Sequence, residues 1–105
     1  MPKPRPPRES TIQAAIIREL RLQGAYVIKA HQAGMGAAGT PDLLACIDGR
    51  FVAIEVKRPG QHLTNLQAAR LDEIRHAGGV AIVAGSVDEL LSFLRFFAKV
   101  VARLS

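Results

Sequence analysis

Three charged residues of this chain could do chemistry together: Asp42, Glu55 and Lys57. Side chains alternate along a strand, so Glu55 and Lys57 would point to one face and the apolar residues between positions 52 and 56 to the other. Asp42 opens the strand that precedes an Asp-Gly turn signal. Near-symmetric pairing across this hairpin would bring Asp42 and Glu55 to the same end of the sheet.

These residue types suit the hydrolysis of a phosphodiester. Two carboxylates at this spacing suit Mg²⁺, which takes oxygen ligands and keeps several waters. A lysine beside them can stabilise charge on a phosphate or help to activate water. A bare Glu-x-Lys is more often a surface pair at a strand end, but here Gly39-Thr40-Pro41-Asp42 precedes it, and the combination is much more specific.

The pattern along the chain predicts seven elements in the order α-β-β-β-α-β-α. Helices are expected at residues 10–23, 64–77 and 86–104, with Ser86 capping the last one. Strands are expected at residues 25–30, 41–47, 50–57 and 80–84. The Asp-Gly turn makes the second and third strands antiparallel, and a right-handed crossover makes the fourth parallel to the third. The fold class predicted is α/β, a mixed four-stranded sheet with helices on both faces.

Composition limits the alternatives. The 105 residues allow one domain, and the single cysteine, which we expect to be buried, excludes an internal disulfide. Residues 1–8 hold four of the six prolines and three of the fourteen basic residues, and we interpret them as a disordered basic arm ahead of a domain over 9–105. The net charge of +5 permits a polyanionic partner. Without a signal peptide or an apolar membrane span, a cytosolic protein is expected.

The chain resembles a stand-alone VRR-NUC domain of the PD-(D/E)xK nuclease superfamily. Gly39-Thr40-Pro41-Asp42 and Glu55-Val56-Lys57 match its two main motifs, and the likeness runs from Glu9 to about Ala84. Its Glu and Gln at the start of the first helix correspond to Glu9 and Gln13, and its Gln on the second helix corresponds to Gln67. The resemblance implies a restriction-endonuclease-like αβββαβ core, divalent metal ions and cleavage of structured DNA.

Helix periodicity agrees with this resemblance. Glu9 and Gln13 share a face with apolar residues of the first helix, and Gln67 does so on the second. Buried polar groups need partners, which a metal cluster with its waters would supply. The alternative is capping, because Ser10 with Gln13 and Thr64 with Gln67 both fit a capping box. Capping does not explain Glu9.

A glycine-rich stretch, Gly34 to Gly39, spells G-x-G-x-x-G. A dinucleotide site would need it to open a helix, whereas Thr40-Pro41 and a strand-like run follow, so we reject that interpretation. The stretch is expected to be a flexible loop beside the site. Lys29 and His31 at its base, and Arg58 next to Lys57, are candidate phosphate contacts or simply exposed residues.

The last helix is apolar over more than half of its circumference. One stripe comprises Leu90, Leu91, Leu94, Phe97, Ala98 and Val101, widened by Phe93, Phe96, Val100 and Leu104. The helix could be tucked deeper into the core, but in so small a domain we favour an oligomer interface. A symmetric dimer would set two active sites against one branched DNA.

The sequence thus predicts a Mg²⁺- or Mn²⁺-dependent endonuclease for DNA, branched or Holliday-junction DNA in particular, in a bacterial or phage-type host cytoplasm. Asp42, Glu55 and the Val56 carbonyl would hold the metal, and Glu9 would complete the acidic cluster. Lys57 would act on the phosphate or the water, and Gln13 and Gln67 would orient ligands or waters. The alternative is a catalytically silent module of the same fold that binds DNA or a protein.

Overall fold

The computed structural model describes residues 5, 7–31, 34 and 36–104, with the backbone alone for residues 100–102 and 104. The helices are α1 (Glu9–Leu22), α2 (Asn65–His76) and α3 (Val87–Leu104), and the strands are β1 (Tyr26–Lys29), β2 (Leu43–Ile47), β3 (Arg50–Val56) and β4 (Val80–Ala84). The predicted order of elements is confirmed. In the predicted arm, residues 1–4 and 6 lie outside the described part, and the other three residues are exposed.

The four strands form one mixed sheet in the order β1-β2-β3-β4. β1 and β2 are antiparallel, β2 and β3 are antiparallel, and β3 and β4 are parallel. Asp48 and Gly49 join β2 to β3 with φ angles of 50° and 79°. Two consecutive positive φ angles are what a type I′ hairpin turn requires, and Asp-Gly favours it. The fold class predicted from the sequence is therefore confirmed.

The main core lies between the sheet and the pair α1 and α3. Its buried residues come from α1, α3 and alternate positions of the strands: Ile12, Ile16, Leu20, Val27, Leu43, Ala45, Val52, Ile54, Val56, Val80, Ile82, Ala84 and Leu90. The apolar alternation at Val52, Ile54 and Val56 explains why this face of β3 is covered. It also turns Glu55 to the opposite face.

The opposite face of the sheet is covered only in part, by α2. Leu71 of α2 is buried, and Ile74 packs near Gly79 and Phe51. In the row Tyr26, Cys46 and Phe51, which pair across β1, β2 and β3, α2 approaches only Phe51, and all three side chains remain exposed. Cys46 is consequently exposed, and the expectation that it is buried was wrong.

No helix in the described part of the chain is long and apolar enough to cross a membrane.

Candidate active site

The hairpin brings Asp42 and Glu55 together. Leu43 pairs with Ile54, so the same register continued by one residue sets Asp42 opposite Glu55. The predicted near-symmetric pairing across the turn is confirmed. One carboxylate oxygen of Asp42, Oδ2, accepts a hydrogen bond from the Val56 backbone N–H at 2.8 Å. This bond fixes the Asp42 side chain against the end of β3.

Lys57 follows immediately after β3, and its position is set by β4. Its backbone N–H donates to the Ala84 carbonyl at 3.1 Å, which extends the parallel pairing by one step. Gly85 comes next on the β4 side, and a Cβ built on it would lie 2.9 Å from the Lys57 carbonyl oxygen. Only glycine fits there without displacing the Lys57 backbone. Sequence reasoning missed Gly85, although its place directly after a strand was a signal for close backbone approach.

The carboxyl group of Glu55 is unusually placed for an acidic residue, because the residue is only 2% exposed. Burial raises its pKa from 4.5 to about 8, helped by a hydrogen bond to Asp42 and by the charges of Asp42 and Glu9, whereas Lys57 opposes the rise. Without a metal, burial and the neighbouring Asp42 carboxyl group therefore both favour the protonated form of Glu55.

Two buried polar atoms of the described residues lack a hydrogen-bond partner: Oε2 of Glu55 and Nε of Arg58. They lie on either side of Lys57 in the chain. A buried acceptor without a donor costs about 1–3 kcal/mol, so such atoms need an explanation. An oxygen that lacks a donor is suited to a hard cation, and a guanidinium N–H that lacks an acceptor is suited to an anion.

The donor set fits a divalent metal of the Mg²⁺ type. Asp42 and Glu55 offer carboxylate oxygens side by side, and one of these oxygens has no other partner. Mg²⁺ is usually bound by one or two carboxylates with several waters. Within the described part of the chain, no group of three or more His, Cys, Asp or Glu residues is arranged to hold a metal. Glu9 therefore lies near enough to influence Glu55 by its charge but does not form a three-residue ligand cluster with the pair.

The two glutamines differ in what they already bind. Gln67 completes a capping box: its backbone N–H donates to Thr64 Oγ1 at 3.1 Å, and its Oε1 accepts from the Thr64 backbone N–H at 2.9 Å. Capping thus explains Gln67 in part, and only its amide NH₂ is left for a site. The first helix has no such box, because Arg8 occupies the N-cap position and makes no side-chain bond. Capping does not explain Gln13, which is half-buried beside Glu9.

The candidate phosphate contacts lie in different places. Lys29 lies on the α1 side of the sheet, where it lines a groove with residues of α1, and so faces away from Glu55. His31 is exposed just beyond β1. Arg58 is half-buried next to Lys57, and its backbone N–H donates to Gln61. Of these residues, only Arg58 lies close to the acidic pair in the chain, three residues after Glu55.

The loop that leads into Asp42 is attached to α2. Gly39 has φ 78°, and a Cβ there would lie 2.7 Å from the Leu66 side chain. Arg70 Nε donates to the Ala38 carbonyl at 3.3 Å, and Thr40 Oγ1 donates to the Ala37 carbonyl at 2.6 Å. The end of the predicted flexible loop is thus docked next to the site. Its residues 32, 33 and 35 lie outside the described part.

Comparison with known proteins identifies the family. The family description "VRR-NUC domain" matches residues 8–88, which include every candidate site residue. A solved structure named "VRR_NUC domain" is similar to this chain with a TM-score of 0.70 and 23% identity, over 83% of this chain and 94% of the other. A second, named "VRR_NUC domain protein", has a TM-score of 0.66 and 23% identity, over 87% and 88% respectively.

No curated protein matched the chain. The two solved structures support the fold, and the match over residues 8–88 supports the family, which is of nuclease type. The resemblance inferred from the two short motifs is confirmed: this chain belongs to the VRR-NUC domain family.

Proposed function

We propose that this protein is a divalent-metal-dependent endonuclease that hydrolyses phosphodiester bonds in DNA. The observation that carries the proposal is the unpartnered Oε2 of the buried Glu55, beside Asp42 and Lys57. A protein does not gain stability from such an atom, so its presence favours a bound cation. Membership of a nuclease-type family points to the same chemistry.

The acidic pair would be the metal site, with the Val56 carbonyl as a further ligand. Mg²⁺ or Mn²⁺ bound there would supply Lewis-acid polarisation of the phosphate and a more acidic water. Asp42 is preset for this role, since the Val56 N–H holds its Oδ2 at 2.8 Å and leaves Oδ1 for a ligand. Glu55 would give up the proton that its raised pKa favours in the absence of a metal. Glu9 would add negative charge, which favours a cation over that proton.

Lys57 and Arg58 would act on the phosphate. Lys57 lies at the end of β3 with its backbone fixed by Ala84, so its ammonium group can stabilise the charge that develops on phosphorus-bound oxygens or help to activate water. The unpartnered Arg58 Nε would donate to a neighbouring phosphate. Gln13 and the free NH₂ of Gln67 would orient ligands or waters.

A cleavage panel tests the activity. Junction, flap, nicked, linear and single-stranded DNA are incubated with Mg²⁺, with Mn²⁺ or with EDTA, using wild type and Lys57→Ala. We expect metal-dependent cutting that is strongest on branched DNA and that Lys57→Ala abolishes, while Mn²⁺ still binds this variant by calorimetry. Undiminished cutting by Lys57→Ala would refute the role of Lys57. Absence of cutting by wild type under every condition would favour a silent binding module.

We also propose that two copies associate through α3. Leu90, Leu94 and Phe97 of α3 pack on the core, but Phe93 and Phe96 are 38% and 67% exposed. A mainly apolar cavity of 630 Å³ lies beneath the helix, between it and the β2–β3 hairpin. Exposed aromatics on a helix that also lines an open, mainly apolar cavity are typical of a contact surface, and a symmetric pair would offer two sites to one branched DNA. The predicted contributions of Val100, Val101 and Leu104 lie outside the described side chains.

Sedimentation tests the dimer. Phe96→Ser should shift the protein to a monomer, whereas Tyr26→Ser, which removes an aromatic side chain that is 71% exposed elsewhere, should not. If wild type is already monomeric at micromolar concentrations, or if both variants remain dimeric, α3 is not the interface.

A further inference from the structure

A groove with an unusual charge lies between α1 and the free edge of the sheet. Its walls come from one flank of α1 and from the end of β1, and its volume is 520 Å³. The residues that line it are Ala14, Ile17, Arg18, Arg21, Leu22 and Lys29. Half of this lining is basic, none of it is acidic, and the rest is apolar. The groove is separate from the acidic pair, which faces the other side of the sheet.

The three cations of the groove have no acidic partner in the part of the chain that the structure describes. Neither Arg18, Arg21 nor Lys29 makes an ion pair within the described residues, whereas Arg70 and Arg75 of α2 are paired with Glu73 and Asp72. Arg21 is held in place by a hydrogen bond from its guanidinium group to the Val27 carbonyl at 3.3 Å. Unneutralised charges that share a concave surface reinforce one another's field and attract an anion.

The groove begins at the active-site end of the sheet. Lys29 pairs with Leu43, the residue that follows Asp42, and the next residue, Ala30, donates its N–H to the Asp42 carbonyl at 3.1 Å. From Lys29 the basic lining runs back to Arg21, which reaches β1 at Val27. Two residues of strand span about 6.8 Å, so Lys29 and Arg21 meet the edge strand within a short distance of each other.

We propose that this groove binds the sugar-phosphate backbone of a duplex DNA arm that extends from the scissile phosphate. The proposal rests on the proposed function, because it takes DNA as the substrate. Arg18, Arg21 and Lys29 neutralise successive phosphates, and the apolar floor contacts deoxyribose. Leu22, which is 76% exposed at the far end of the groove, is covered by the same arm. Contacts of this kind set the position of the DNA without reading its sequence.

The test measures binding separately from cleavage. A fluorescent 20-base-pair duplex is titrated by anisotropy in Ca²⁺ buffer at several salt concentrations. The groove variant is Arg18→Gln/Lys29→Gln, and the control is Lys99→Gln/Arg103→Gln, which removes the same charge from exposed positions of α3. Arg21 is left unchanged because its bond to Val27 supports the fold. Thermal unfolding of both double variants confirms that they are folded.

We expect the groove variant to lower the slope of log K against log salt by about 1.8 and to weaken binding by roughly 10- to 100-fold near 0.1 M salt, since each phosphate contact contributes about 0.9 to the slope. The control should change the slope by much less. Equal losses of DNA affinity in both variants would show that only the net charge matters, and would refute the proposal that the groove binds DNA. A groove variant that binds DNA with wild-type affinity would also refute the proposal.

Cleavage measured in parallel separates the two proposals. If wild type binds DNA with a groove-dependent slope but cuts nothing, the groove is retained and the nuclease is refuted. If wild type cuts and the groove variant binds like wild type, the nuclease is retained and the groove is refuted. A wild-type protein that binds no DNA refutes both.

Discussion

The two ends of the β2–β3 hairpin differ in the groups that they leave without a partner: polar groups at one end and apolar side chains at the other. At the open end, the buried Glu55 lies opposite the half-buried Asp42, and the carboxylate oxygen Oε2 of Glu55 has no hydrogen-bond donor among the described residues. At the turn end, beyond Ile47, the hairpin borders an apolar cavity under α3, and Arg50 lies over the Phe97 ring at 5.4 Å. One end is suited to a cation and a phosphate, and the other to an apolar partner.

This difference shows how a small domain can combine a stable sheet with two candidate functional surfaces. The same hairpin register that buries Val52, Ile54 and Val56 against α1 sets Glu55 on the other face at the open end. The apolar packing of other residues of β3 offsets the free energy that is lost when the Glu55 carboxyl group is buried. Replacing a carboxylate by the corresponding amide should therefore have very different effects on cleavage at the two ends of the hairpin.

The largest expected effect is on cleavage. Glu55→Gln keeps the size of the side chain but removes the charge that would bind the metal, so we expect cutting to fall on the order of 10³-fold. Asp48→Asn makes the same chemical change at the turn end, where asparagine also tolerates the φ of 50°. The control should cut like wild type in a gel assay. Equal activity of both variants would remove Glu55 from the site.

The second prediction concerns pH in the absence of metal. Below pH 4.5 Glu55 is protonated in both the folded and the unfolded chain, so it contributes nothing. Its folded pKa of about 8 means that between 4.5 and 8 the folded state binds more protons, and the free energy of unfolding therefore falls as pH rises, by a few kcal/mol in all. Above pH 8 the loss is complete. Urea unfolding at pH 5 and pH 8.5 measures it.

Matched variants show whether Glu55 causes this slope. Glu55→Gln should flatten the fall in stability between pH 5 and 8.5, whereas Asp48→Asn, at an exposed carboxylate, should leave it unchanged. Mn²⁺ should stabilise wild type more at pH 8 than at pH 5, because it competes with the proton. A pH profile that is the same in wild type and Glu55→Gln would show that the buried Glu55 does not control the pH dependence of stability.

Gly85 tests how tightly β4 positions Lys57. A methyl group at position 85 would lie 2.9 Å from the Lys57 carbonyl oxygen, so Gly85→Ala must shift the backbone that carries Lys57. We expect a loss of about 1–3 kcal/mol in unfolding free energy and a 10- to 100-fold loss of cleavage. Chemical denaturation and a cleavage assay measure the two. Wild-type cleavage by a folded Gly85→Ala protein would show that Lys57 tolerates the shift.

Much of this architecture was predictable because its signals are local. Asp48-Gly49 specifies the turn, the alternation at residues 52–56 specifies the face of β3, and Ser86 caps α3 through a hydrogen bond from the Glu89 N–H at 3.1 Å. Asp42 and Glu55 could be placed together since a two-residue turn fixes the register. These steps needed no knowledge of how the helices pack.

The features that the sequence did not predict depend on packing between distant elements. The exposure of Cys46 follows from how far α2 extends across the sheet, which no local pattern encodes. The role of Gly85 follows from the distance between β4 and the Lys57 carbonyl. The two capping signals looked alike, yet the one at Thr64 and Gln67 forms a box and the one at Ser10 and Gln13 does not, because α1 begins at Glu9, one residue before Ser10.

The smallest predicted effect separates those two glutamines. Gln67→Ala removes the bond to the Thr64 N–H, so it should lower the unfolding free energy by about 1 kcal/mol, within the usual range for a cap. Gln13→Ala breaks no capping bond and should change stability by much less. If Gln13 orients a ligand or a water, its loss should instead lower cleavage by roughly 10- to 100-fold, as outer-shell partners of metal sites do. Urea unfolding and cleavage assays on both variants distinguish these roles. A Gln13→Ala protein that loses stability but cuts normally would show that the role of Gln13 is structural.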